Sequence, residues 1–161
     1  MSQNPHLALI DRLIATYRTL NMEVRPRSEA DLRARSEGGR GVRDVVKRMR
    51  DDELLFSQAL KERISGVKMP EMFAEEAPVI GTETEGDPTS KLLAQFGTAR
   101  ESTLAMLRSL PTEEWDAAGE HQQSITSRVT GLADNDRKQL ERIAQVVPTV
   151  EPTATVSAAT N

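Results

Sequence analysis

Residues 124 to 143 read Ser-Ile-Thr-Ser-Arg-Val-Thr-Gly-Leu-Ala-Asp-Asn-Asp-Arg-Lys-Gln-Leu-Glu-Arg-Ile, and the spacing of their apolar side chains decides the fold class. Most of these side chains recur at intervals of three or four residues, which places them on one face of an α-helix. The apolar row comprises Ile125, Val129, Leu132, Leu140 and Ile143, and Val147 extends it. Ser124 stands where a hydroxyl can cap the first turn. The stretch therefore predicts an amphipathic helix whose apolar row has one gap.

The remaining composition favours the same kind of structure. The chain has 161 residues, a length suited to one domain with a substantial core. Only 3% of the residues are aromatic and 37% are hydrophobic, and strong helix formers are common among them. We therefore expect an all-α protein. Because the chain has no cysteine, disulfides, thiolate metal sites and a cysteine nucleophile are excluded.

Three further helices are predicted by caps and apolar spacing, and we expect them to form a four-helix bundle together with the first. Asn4 and Pro5 start a helix that runs to about Leu20, and Gly66 ends a second one that begins at Val42. A third helix follows Asp87-Pro88 and extends to about residue 110. Short helical turns are expected at 28–32 and 111–115.

Two segments lack helical periodicity. Residues 67 to 86 are rich in proline, glycine and acid, and they predict a long connection between the second and third helices. Residues 148 to 161 are polar and aperiodic, so we expect a disordered tail after a helical domain spanning residues 1 to 147.

The charge pattern bears on partners. The net charge is −4, from 21 basic and 25 acidic residues that are interspersed, which does not favour nucleic acid as a partner. Eight arginines lie between Arg25 and Arg50, but acidic residues interrupt them, so a solvated face is favoured over a phosphate-binding surface. Neither a signal peptide nor a membrane span is recognisable, and we expect a cytoplasmic protein without membrane association.

Gaps in two apolar rows are filled by acidic residues. Glu53 fills the gap in the second helix and Asp136 the gap in the fourth, so two carboxylates point towards the core. An unpaired buried polar group costs about 1 to 3 kcal/mol, and a charge costs more. We therefore expect a hydrated pocket or ion pairs with Arg48, Arg50 or Arg137; a binding or catalytic role is the alternative.

Asn135 and Gln139 lie four residues apart and project from the same side of the fourth helix. Such a pair, with a third ligand from another helix such as the position of Arg48, is the geometry that holds a divalent metal in a helical bundle. These residue types do not suit a metal, because amide oxygens are weak ligands and guanidinium has no lone pair. The two histidines, His6 and His121, lie outside this spacing, and surface or capping roles are expected for them.

Three segments resemble the DinB-like (DinB/YfiT) superfamily of bacterial four-helix bundles. Residues 41–53, Gly-Val-Arg-Asp-Val-Val-Lys-Arg-Met-Arg-Asp-Asp-Glu, are similar to the second helix of that family, residues 104–115 to the junction after its third helix, and residues 124–143 to its last helix. The resemblance covers roughly residues 5 to 147. It implies that Arg48, Asn135 and Gln139 occupy positions at which the family carries three metal-binding histidines. Some members use that metal in thiol-dependent transfer or isomerisation, with mycothiol or bacillithiol as cosubstrate.

These observations leave three functions open. The first is a metal-free binding or interaction module without catalytic residues or cofactor, in which a small anionic ligand binds a polar cleft. The candidate residues of that cleft are Arg48, Glu53, Asn135, Asp136 and Gln139. The alternative is a metal-dependent hydrolase or thiol-dependent transferase, with magnesium or manganese bound through Glu53 and Asp136. The third is a structural role as a homodimer.

Overall fold

Helices account for all the regular structure that the computed structural model describes, which covers residues 4–36, 39–66 and 86–146. These ranges contain six α-helices and no strand. The helices are α1 (Pro5–Val24), α2 (Glu29–Arg33), α3 (Val42–Ser65), α4 (Thr89–Ser109), α5 (Thr112–Asp116) and α6 (Ile125–Val146). The predicted all-α class is confirmed. The predicted connection at 67–86 lies almost wholly outside the described residues, and the predicted tail lies entirely outside them.

Local capping explains where several helices begin and end. The side chain of Asn4 accepts a hydrogen bond from the backbone N–H of His6 at 3.0 Å, and Ser124 accepts one from Ser127 at 3.0 Å. Gly66 ends α3 in the left-handed region, at φ 71°, where a glycine carries no steric penalty. These ends agree with the caps predicted from the sequence.

The four long helices pack through two separate apolar clusters. α3 packs chiefly against α4, and α1 against α6, with further contacts of α3 to α6 and of α1 to α4. One cluster includes Leu20, Val46, Phe96 and Ile143, and the other includes Leu13, Leu60, Leu104 and Val129. Each cluster therefore draws on all four long helices.

Buried polar side chains occupy the level between the two apolar clusters. Each long helix contributes at least one residue to this central polar layer, which includes Thr16, Glu53, Arg100, Thr103, Asp136 and Gln139. The gaps in the predicted apolar rows of α3 and α6 fall at this level. The layer divides the hydrophobic core into two halves.

The first turn of α1 differs from the sequence prediction. His6 was expected at the surface or in a capping role but is only 6% exposed, whereas the neighbouring Leu7 is 57% exposed. His6 is covered because its ring stacks on Trp115 of α5, with centroids 4.5 Å apart. Its Nε2 atom also lies 3.3 Å from a carboxylate oxygen of Asp116. α5 thus closes this end of the helices over the start of α1.

None of the helices in the described part of the chain is both long enough and apolar enough to cross a bilayer.

Candidate functional site

The centre of the polar layer is a buried triad formed by Glu53 of α3, Arg100 of α4 and Asp136 of α6. Arg100 donates from Nη2 to Glu53 Oε2 at 2.8 Å, and from Nη1 and Nη2 to Asp136 Oδ2 at 3.0 and 2.9 Å. Nη1 also donates to the backbone oxygen of Leu13 at 3.1 Å. The three side chains are 0 to 3% exposed. The guanidinium group of Arg100 therefore connects α4 to the other three long helices, α1, α3 and α6.

The ion pairs expected for Glu53 and Asp136 were assigned to the wrong arginines. Arg48 pairs with Asp52, and the Arg50 guanidinium bonds to Asp51 and Gln95. Arg137 is exposed. The partner is Arg100, which the sequence analysis missed.

A signal for Arg100 was present in the sequence. Arg100 lies four residues after Phe96 and four before Leu104, so it falls on the apolar face of α4. Arg100 is a single arginine on the apolar face of α4, and Glu53 and Asp136 are single carboxylates on the apolar faces of α3 and α6. Opposite charges on three apolar faces indicate that these residues pair with one another. Spacing along one helix did not reveal this pairing, because the residues belong to three different helices.

The triad carries two acidic groups against one cation. Burial raises the pKa of Asp136 to about 6; the attraction of Arg100 opposes this rise, and the repulsion of Glu53 adds to it. Burial alone would lower the pKa of Arg100, but the two carboxylates outweigh it and raise that pKa, so the guanidinium stays charged. Among the described residues, the Oε1 atom of Glu53 and the Nε atom of Arg100 are buried and have no hydrogen-bond partner.

A second group of polar residues lies along the seam between α3 and α6, and we call it the outer polar chain. Arg48 donates from Nε to both carboxylate oxygens of Asp52 at 3.2 Å. Asp52 Oδ2 accepts from Asn135 Nδ2 at 3.4 Å, and Asn135 Oδ1 accepts from Gln139 Nε2 at 3.4 Å. Gln139 Oε1 accepts from Arg142 at 3.3 Å. Arg48, Asn135 and Gln139 are thus connected, through one acidic residue that the sequence analysis missed.

The five predicted site residues therefore fall into two adjacent groups. Arg48, Asn135 and Gln139 belong to the outer polar chain, whereas Glu53 and Asp136 belong to the buried triad. Exposure to solvent falls along the outer polar chain: the side chain of Arg48 is 69% exposed, whereas Gln139 is only 4% exposed. Asp52 directly precedes Glu53 and Asn135 directly precedes Asp136, so the outer polar chain and the buried triad are built on the same turns of α3 and α6.

The chemistry of these residues does not suit a divalent metal. The Arg100 guanidinium bridges Glu53 and Asp136, so a cation between those carboxylates would have to displace a charged hydrogen-bond donor. In the outer polar chain, the amide oxygens of Asn135 and Gln139 already accept hydrogen bonds. In the described ranges no three histidine, cysteine, aspartate or glutamate side chains come together as possible metal ligands.

The outer polar chain is better suited to an anion than to a cation. Its two ends are guanidinium groups, and its middle contains two amides that can donate hydrogen bonds. The hydrogen bonds from Asn135 to Asp52 and from Gln139 to Asn135 both measure 3.4 Å, which is near the upper limit for such bonds. These donors are held weakly, so an incoming acceptor could recruit them.

Comparison with known proteins returned no match, whether to a family model, to a curated protein or to a solved structure. The function must therefore be inferred from the residues and their geometry.

Proposed function

We propose that the chain is a metal-free member of the DinB-like superfamily, a cytoplasmic four-helix bundle with a long second connection, that binds a small anionic ligand at the outer polar chain. The observation that carries the proposal is the position of Arg48 and Arg142 at the two ends of a hydrogen-bonded row. The amides of Asn135 and Gln139 lie between them. In this proposal the protein binds its ligand and performs no chemistry on it.

The pairing of Arg48 with Asp52 leaves the arginine available to a ligand. Their side chains are one helical turn apart on α3, and Arg48 is 69% exposed. Exposed pairs of this kind contribute only about 0.3 to 0.5 kcal/mol, so an anion could replace Asp52 at small cost. A guanidinium group can then bind a carboxylate through two parallel hydrogen bonds.

The charge of Asp52 narrows the ligand class. Arg48 and Arg142 contribute two positive charges and Asp52 contributes one negative charge, so the outer polar chain carries a net charge of +1. A monocarboxylate matches this charge better than a multiply charged phosphate does, because Asp52 would repel the additional negative charge. The ligand we propose is therefore a small monocarboxylate, oriented by the two amide groups.

Titration calorimetry against a panel of small carboxylates and phosphates tests the proposal. We expect a monocarboxylate to bind, and Arg48→Ala or Arg142→Ala each to weaken binding about tenfold, as the loss of about 1.4 kcal/mol implies. Arg12→Ala is the matched control, because Arg12 forms an exposed ion pair with Asp134 at the α1–α6 seam. The proposal is wrong if Arg48→Ala leaves the affinity of every detected ligand unchanged.

A further inference from the structure

A second cationic region lies where the end of α2 meets the start of α3. Gly41, which precedes α3, allows the backbone at the end of α2 to approach closely. A Cβ atom at position 41 would lie 2.7 Å from the backbone oxygen of Ala34 and 3.0 Å from that of Leu32. No larger residue fits there without displacing backbone. The close approach brings Arg33 and Arg35 beside the first turn of α3, which carries Arg43.

Two of these arginines are held side by side. Arg33 and Arg43 both donate to the backbone oxygen of Asp87, at 3.0 and 2.9 Å. Glu29 lies 2.8 Å from Arg33 Nε and 3.9 Å from Arg43 Nε. The same carboxylate accepts hydrogen bonds from the backbone N–H and the hydroxyl of Thr89, at 3.0 to 3.1 Å. The two guanidinium groups are therefore fixed before any ligand arrives.

A cleft of about 320 Å³ opens at this place and is lined by Arg33, Arg35, Arg43 and Asp44. This volume is at the lower end of the range for small-molecule sites, roughly 300 to 1,000 Å³. Arg35 is exposed, and within the described ranges its side chain has no hydrogen-bond or ion-pair partner. Asp44 accepts a hydrogen bond from the backbone N–H of Gly41 at 2.9 Å, which engages one of its carboxylate oxygens.

We propose that this cleft binds the phosphate group of a small phosphorylated compound, with Arg35 as the recruiting residue and Arg33 and Arg43 as the prepositioned ones. In the described part of the chain, three guanidinium groups face two carboxylates, Glu29 and Asp44, and Arg35 is the cation that neither carboxylate engages. Guanidinium forks match phosphate oxygens in geometry as well as in charge. The site is separate from the outer polar chain, since the two share no residue, and it does not depend on the function proposed there.

Heteronuclear NMR titration with inorganic phosphate and with pyrophosphate tests this site on the full chain. We expect saturable shifts of the backbone amides of residues 33–35 and 41–45, with pyrophosphate binding more tightly because it carries more charge. Arg35→Ala should weaken pyrophosphate binding about tenfold, the effect of one lost charge-assisted contact. Arg35→Lys, which keeps the charge but not the fork, should give an intermediate affinity.

Arg40→Ala is the matched control, because Arg40 is also exposed, lies in the same connection and does not line the cleft. The pyrophosphate affinity of the Arg40→Ala variant should equal that of the unaltered chain.

Three results would overturn the proposal: no saturable shift, shifts that potassium chloride reproduces at equal ionic strength, or equal losses in Arg35→Ala and Arg40→Ala. Tighter, Arg35-dependent binding of a single-stranded oligonucleotide would also overturn it, in favour of nucleic acid. Arg48→Ala should leave these shifts intact, which separates this test from that of the outer polar chain.

Discussion

Arg100 and Asp136 are joined by two hydrogen bonds, because Nη1 and Nη2 of the arginine both donate to Oδ2 of the aspartate, at 3.0 and 2.9 Å. This contact connects α4 to α6 inside the core, where both side chains are shielded from water. Arg100 simultaneously binds Glu53 of α3 at 2.8 Å and lies 4.9 Å from the centre of the Phe96 ring. With its additional bond to the backbone oxygen of Leu13 in α1, Arg100 is an internal crosslink among all four long helices.

Replacing Arg100 by methionine should destabilise the fold strongly. The substitution would leave Glu53 and Asp136 buried without a cation, and loss of one partner from a buried ion pair costs about 3 to 5 kcal/mol. Urea unfolding at neutral pH would measure the free energy of unfolding. Arg12→Met, at an exposed ion pair, should cost less than about 1 kcal/mol. An equal cost at both sites would contradict the assigned role of the triad.

Asp136 should make stability fall as pH rises. The pKa of this group is about 6 in the folded protein and ordinarily 3.8, so its protonated form is favoured by folding. Its contribution is fully present below about pH 4 and is lost as pH rises through about 6. Relative to Asp136→Asn, the unaltered chain should therefore lose about 2 to 3 kcal/mol of unfolding free energy between pH 4 and 7, at 1.36 kcal/mol per pKa unit.

Asp134, two residues earlier on α6, provides a control with the opposite sign. A hydrogen bond from Arg12 lowers the pKa of Asp134, so its contribution to stability is present above the usual pKa and is lost as pH falls. Urea unfolding of Asp134→Asn should show this reversed trend as pH falls below about 4, and no loss of stability between pH 4 and 7, where Asp134 stays ionised. If both substitutions gave the same trend, the raised pKa of Asp136 would not be the cause.

Gly97→Ala should destabilise the contact between α1 and α4. A Cβ atom at Gly97 would collide with the Tyr17 hydroxyl oxygen and lie 2.8 Å from Tyr17 Cζ. Such overpacking typically costs about 1 to 3 kcal/mol, and thermal or urea unfolding would measure it. Tyr17→Leu in the same chain should relieve the clash and recover part of the loss.

Gly131→Ala offers the matched comparison for that clash. Gly131 lies within α6 and is exposed, and a Cβ atom there would meet no described residue beyond its own stretch of helix within 4 Å. Alanine there should stabilise the protein by up to about 1 kcal/mol, because it favours the helix without a steric cost. A loss of stability at Gly131 similar to that at Gly97 would show that the helices tolerate no added Cβ in general.

Placing histidine at positions 48, 135 and 139 should create a metal site, as the proposed membership of the DinB-like superfamily requires. Arg48 and Asn135 both bond to Asp52, and Gln139 bonds to Asn135, so the three positions converge. The triple variant R48H/N135H/Q139H should bind zinc at near-stoichiometric level in elemental analysis, whereas the unaltered chain should not.

The double variant N135H/Q139H is the control for that experiment, because it retains the cation at Arg48 and supplies only two imidazoles. It should bind zinc much more weakly than the triple variant does. Equal zinc content in the two variants would contradict the convergence of the three positions. Stoichiometric magnesium or manganese in the unaltered chain would instead support the alternative of an oxygen-ligated enzyme.

The sequence by itself determined most of the local structure. Apolar spacing and capping residues such as Asn4, Ser124 and Gly66 predicted the helices and several of their ends, because these features act within a few residues of chain. The gaps in two apolar rows also located Glu53 and Asp136 correctly in the interior. Such inferences need only the periodicity of a single helix.

Only the tertiary structure decided which residues meet. Arg100 pairs with Glu53 and Asp136 from a third helix, Asp52 connects Arg48 to Asn135, and the stack on Trp115 buries His6. Helical periodicity gives the face on which a side chain lies, but it does not give the height at which two helices pack or which faces oppose each other. The partner of a buried charge depends on both, so it emerges only when the helices are assembled.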